Sequence, residues 1–121
     1  MTILISATDP LSFVFKKSGG AKMIMRIAVW RDPGTPNQTK IHTLFVGSAK
    51  KKVEGPIVLP PLTAGAYQIV ARIIIEEGNS GDYDYVAMMN GSQFGAGVGD
   101  VNTSLEIDAD TFLHREDVKV S

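Results

Sequence analysis

Apolar and polar side chains alternate with a period of two, and Gly, Pro, Asn or Asp interrupt the pattern every few residues. No other feature limits the possible folds of this chain so strongly. In Lys22–Arg31 the odd positions are Met23, Met25, Ile27 and Val29, and the even positions are Lys22, Ile24, Arg26, Ala28 and Trp30. A strand turns successive side chains to opposite faces, so the odd set faces a core and Trp30 points outward beside Arg26. Residues 66–76 repeat the pattern, with Tyr67, Ile69, Ala71, Ile73 and Ile75 set against Gln68, Val70, Arg72, Ile74 and Glu76. Leu11, Phe13 and Phe15 alternate in the same way with Ser12, Val14 and Lys16. No stretch sustains an apolar stripe at helical spacing; residues 108–116 come nearest and would make a turn or two at most. Strands are expected near 2–6, 11–17, 21–31, 40–47, 56–59, 66–76, 83–89 and 103–109, with further extended chain near 111–120.

A length of 121 residues suits one hydrophobic core and is too short for two. Leu62, Thr63, Ala64, Gly65 and Ala66 lead into Tyr67 at the head of the long strand. This segment resembles the tyrosine corner of immunoglobulin-like and fibronectin-type sandwiches, where a Tyr near the start of a central strand returns its hydroxyl to the backbone just upstream. The resemblance implies a buried, hydrogen-bonded Tyr67 and concerns fold alone. The expected fold is therefore all-β: residues 1–121 as a single antiparallel β-sandwich, immunoglobulin-like or jelly-roll, with about 7 to 9 strands.

Half of the twelve glycines lie between 78 and 99. Asn90-Gly91 after the 83–89 strand is the signal of a two-residue hairpin turn, in which both residues need positive φ. Gly95, Gly97 and Gly99 then alternate, which suits either an unpacked, mobile edge strand or a close backbone approach by a ligand. They do not make a dinucleotide fingerprint, because no helix follows to present its N-terminus to phosphate. Carboxylates are the second concentration. Asp82-Tyr83-Asp84, in a glycine-flanked loop, is the candidate seed of a calcium site, since calcium gathers hard oxygen ligands. No other cofactor is implied. Glu106, Asp108 and Asp110 alternate along one strand face and read as solvated.

Chemistry-bearing residues are sparse. There is no cysteine, which removes disulfides, thiolate metal sites and cysteine nucleophiles together. The imidazoles are His42 and His114, and His114 with Glu116 supplies two zinc ligands where three are needed. The phosphate-loop and nucleophile-elbow motifs are absent. A non-catalytic module is the expectation. The formal net charge is −1, but residues 1–52 hold nine Lys/Arg against Asp9 and Asp32, whereas residues 53–121 hold Arg72, Arg115 and Lys119 against eleven acids. Lysines 50–52 form a short basic run without the aromatic platforms that nucleic-acid binding calls for, so no nucleic-acid partner is expected. No run is long and apolar enough for a bilayer span, and the first residues show no secretory signal, which implies a cytoplasmic protein.

The outward residues point to surface contact. Trp30 with Arg26 on one strand, and Arg72 with Ile74 on another, mix aromatic, aliphatic and guanidinium groups as protein interfaces do. The leading expectation is a binding or assembly module that acts on a protein partner or on itself. The alternative is a small lectin-like domain, with Trp30, Tyr83 and Tyr85 as a sugar platform and Asp82 and Asp84 as calcium ligands.

Overall fold

The computed structural model describes residues 2–46, 53–101 and 109–121. They form β1 (Thr2–Ile5), β2 (Leu11–Ser18), β3 (Lys22–Arg31), β4 (Thr39–Val46), β5 (Val53–Leu59), β6 (Gly65–Glu76), β7 (Asp82–Met89), β8 (Ser92–Asp100) and β9 (Ala109–Val120). One sheet has the order β1-β9-β6-β3-β4 and the other β5-β2-β7-β8. The β1/β9 pair is parallel and the remaining pairs are antiparallel. The protein is thus an all-β sandwich. No helix among the described residues is long and apolar enough to cross a membrane.

The alternation dictates the core. Met23, Met25, Ile27 and Val29 of β3 and Tyr67, Ile69, Ala71, Ile73 and Ile75 of β6 are buried, and they pack with Leu11, Phe13 and Phe15 of β2 and with Ala87 and Met89 of β7. Tyr67 is 2% exposed, and its hydroxyl donates to the Thr63 carbonyl at 2.8 Å, so the expected corner is present. Asn90 (φ 49°) and Gly91 (φ 80°) form the expected hairpin turn, closed by the Met89/Ser92 pair. The Asn90 side chain pins that turn to the start of β2, accepting from the Ser12 amide at 2.7 Å and donating to the Pro10 carbonyl at 3.1 Å.

Residues 92–100 form a full edge strand, and residues 109–120 form one long strand where extended chain is expected near 111–120. The strand expected at 103–109 falls largely on 102–108, outside the described residues, as do Glu106, Asp108 and lysines 50–52.

The glycine alternation has a packing cause. Register places Tyr83 opposite Gly99, Tyr85 opposite Gly97 and Ala87 opposite Gly95. A Cβ on Gly97 would lie 2.6 Å from the Tyr85 ring, one on Gly99 would lie 2.7 Å from the Tyr83 hydroxyl, and one on Gly95 would lie 2.9 Å from the His114 ring. The close approach to the β8 backbone is made by the protein's own aromatic rings.

Candidate functional site

The outer face of the five-stranded sheet is assembled by register. β3 pairs with β6 so that Ile24 lies opposite Ile74, Arg26 opposite Arg72, Ala28 opposite Val70 and Trp30 opposite Gln68. The two outward faces that the strands present separately in sequence therefore fuse into one. β9 extends the rows, with Leu113 beside Arg72 and Arg115 beside Val70, and β4 adds Phe45 beside Arg26 and Lys40 beside Trp30. Among the described residues, the exposed large hydrophobics Leu4, Ile24, Phe45, Ile74 and Leu113 all belong to this face, while Val58 and Val98 belong to the opposite side of the sandwich. Phe45, Leu113 and Leu4 were missed from sequence. The unbroken apolar runs Leu44-Phe45-Val46 and Ile3-Leu4-Ile5 hide their parity, and Leu113 is flanked two residues away on either side by the polar Thr111 and Arg115.

Arg26 and Arg72 stand directly across from each other, an arrangement in which like charges repel. Arg26 Nε is buried and has no hydrogen-bond partner among the described residues. Both guanidinium groups line a shallow depression of about 120 Å³ with Ala28, Trp30, Lys40 and Val70. Lys40 Nζ lies 5.8 Å from the centre of the half-buried Trp30 ring, within cation–π range. A bulge opposite Val29 and Trp30 skips Ile41 and brings Lys40 to this position. A second recess of about 240 Å³ adjoins the first and is lined by Trp30, Gln38, Gln68, Val70 and Arg115. Such a surface can accept carboxylates at its centre and apolar side chains around them.

Tyr83 and Tyr85 do not belong to this face. They share the inward parity of Ala87 and Met89 and are 5% and 1% exposed, so they cannot serve as a surface sugar platform. Instead they anchor an aromatic cluster that joins the sheets, with ring centres of Tyr85 and Phe112 5.9 Å apart and those of Tyr83 and Phe112 6.0 Å apart. Tyr85 Oη lies 2.7 Å from His114 Nε2. Burial, with a smaller contribution from Tyr83, pushes the Tyr85 phenol up to about 12, and burial lowers the His114 pKa. Both groups therefore favour their neutral forms at neutral pH. Lys17 was also missed, although its parity with Leu11, Phe13 and Phe15 is the signal that finds it. It is 6% exposed, and its Nζ donates to the Ala21 carbonyl at 2.6 Å.

Asp82 and Asp84 are exposed near the start of β7, and Asp82 lies opposite Asp100. The Asp82 carboxylate accepts from the Ser80 hydroxyl and from the Gly20 amide, which lower its pKa in that order. Among the described residues no three His, Asp or Glu side chains are grouped so as to hold a metal ion. Asp82 and Asp84 gain no third His, Asp or Glu side chain there.

No family model and no curated protein matches the chain. Among solved structures it is similar to a DUF4425 family protein from Bacteroides ovatus, at 9% sequence identity and a TM-score of 0.34, over 92% of this chain and 94% of that one.

Proposed function

We propose that the protein is a non-catalytic binding or assembly module whose working surface is the outer face of the five-stranded sheet. The observation that carries this reading is the directly opposed Arg26/Arg72 pair at the centre of an exposed apolar field. Two guanidinium groups held side by side repel each other until an anion bridges them, and a partner carboxylate does so with charge-assisted hydrogen bonds. Trp30, Ile24, Ile74, Phe45 and Leu113 then supply the apolar contact around that bridge. The partner is a protein surface carrying acidic side chains among apolar ones, on another protein or on a second copy. Ile74→Glu, at an exposed position, leaves the fold intact and lowers the oligomer mass in sedimentation, or removes a partner recovered with the wild type. An unchanged mass together with unchanged partner recovery sinks the reading.

A carbohydrate ligand is the second reading, supported by the recess where the Gln38 and Gln68 amides and Arg115 flank Trp30. Planar polar groups beside an indole face suit a sugar ring. Tyr83, Tyr85 and the Asp82/Asp84 pair have no part in it. A glycan array with wild type and Trp30→Ala separates the two: glycan binding that the substitution removes favours the sugar.

A further inference from the structure

The opposite side of the sandwich carries its own exposed apolar groups and the opposite charge. On the outer face of the four-stranded sheet, Val58 and Val98 are exposed, and Val14, Val86 and Met88 are half-buried. Asp82, Asp84 and Asp100 stand exposed at one end of this face, where β7 begins and β8 ends, and among the described residues Lys16 shares the face with them. Among the described residues the two faces are thus both apolar, one studded with Arg26, Arg72, Arg115 and Lys40 against Glu76 and Asp117, and the other with aspartates against Lys16.

We infer that the occupant of the arginine-bearing face is a second copy of this chain, docked through the aspartate-bearing outer face of its four-stranded sheet. The inference rests on the proposed contact role of the arginine face. Charge decides the orientation. Docking two arginine faces on each other would bring Arg26 and Arg72 of both copies together, and docking two aspartate faces would crowd the carboxylates; like charges brought together across an interface oppose association. Only the mixed arrangement covers both apolar faces with opposite charges in contact. A mixed contact is heterologous: every open assembly keeps one unused arginine face at one end and one unused aspartate face at the other, so copies add head to tail into open chains or close into a ring.

Size limits its strength. Four strands at ~4.8 Å spacing and about eight residues at ~3.3 Å give a face of roughly 500 Å², short of the ~800 Å² per partner of a standard interface. Assembly is therefore weak and depends on concentration.

Mixing two variants tests the arrangement. Arg72→Glu with Ile74→Glu disables the arginine face and spares the other; Asp84→Lys with Val98→Lys does the reverse. All four positions are exposed, and circular dichroism checks that both variants fold. In sedimentation velocity at low salt, the wild type gains mass with concentration beyond a dimer, and each variant alone stays monomeric, with self-affinity at least about tenfold weaker. A one-to-one mixture assembles again, because one competent face of each kind remains and the glutamate face of one variant also complements the lysine face of the other. A mixture that stays monomeric overturns the inference. Loss of assembly in the arginine-face variant with full assembly in the other overturns it too, while leaving the arginine face as the contact surface. A wild type that is monomeric at every concentration overturns the second copy as occupant and leaves an acidic partner protein for the Ile74→Glu comparison to decide.

Discussion

The Tyr85 hydroxyl and His114 Nε2, 2.7 Å apart inside the sandwich, tie stability to pH. Burial lowers the folded-state pKa of His114 below its ordinary 6.5, so the unfolded chain takes up the proton first as pH falls. The contribution of the neutral imidazole is present in full above about pH 6.5 and is lost as pH drops through that value toward the lowered folded pKa. Urea midpoints of the wild type should therefore fall between roughly pH 8 and roughly pH 5 more steeply than those of His114→Gln, whose amide does not titrate. Parallel profiles would show that His114 is as easily protonated folded as unfolded. At the corner, Tyr67→Phe removes the hydrogen bond to the Thr63 carbonyl and should cost about 1 kcal/mol in the same assay. A loss within error would mean that water replaces the bond at no cost.

Edge strand β8 shows how a local sequence rule and a tertiary one compete. Glycine at every second position removes side chains from one face, which reads locally as a strand with nothing to pack. The missing partners are the Tyr83 and Tyr85 rings of the neighbouring strand and the His114 ring of β9. Tyr85 cannot step aside for a methyl group, because it is 1% exposed and its hydroxyl is held by His114. Gly97→Ala should therefore destabilise by about 1 to 3 kcal/mol, as overpacking does, whereas Ala96→Gly at the exposed neighbouring position should cost no more than about 1 kcal/mol. Equal effects in denaturant titrations would remove the close-approach argument. The same contrast explains what was legible. β3 and β6 could be read residue by residue because every inward position is apolar. β9 could not, because His114 and Glu116 interrupt its inward row between Phe112 and the apolar pair Val118 and Val120. The outward direction of Trp30, Arg26, Arg72 and Ile74 followed from parity, but their union on one face depends on long-range register. Tyr83 and Tyr85 share the parity of Ala87 and Met89, and that pattern, more than their aromatic chemistry, decides that they face inward.

At the scale of the whole molecule, the charge split between the two halves of the sequence is rearranged by topology. Arg26 and Lys40 come from the basic half, Arg72 and Arg115 from the acidic half, and strand order β9-β6-β3-β4 sets them on one face. Asp82, Asp84 and Asp100, also from the acidic half, follow β7 and β8 to the other sheet. Opposite faces of one body then attract between copies, and that attraction is screened by salt. The chain's one tryptophan, Trp30, sits half-buried on the arginine face and reports on it directly. Raising protein concentration at low salt should shift Trp30 emission to shorter wavelength and protect it from acrylamide, as the ring leaves water. Adding salt to about 1 M, where the Debye length is ~3 Å, should reverse much of the change. The Asp84→Lys/Val98→Lys chain, alone, should show no concentration dependence and should regain protection when the arginine-face variant is added. Quenching of the wild type that is the same at every concentration and salt level would mean that no copy covers Trp30, and self-assembly through this face would fall.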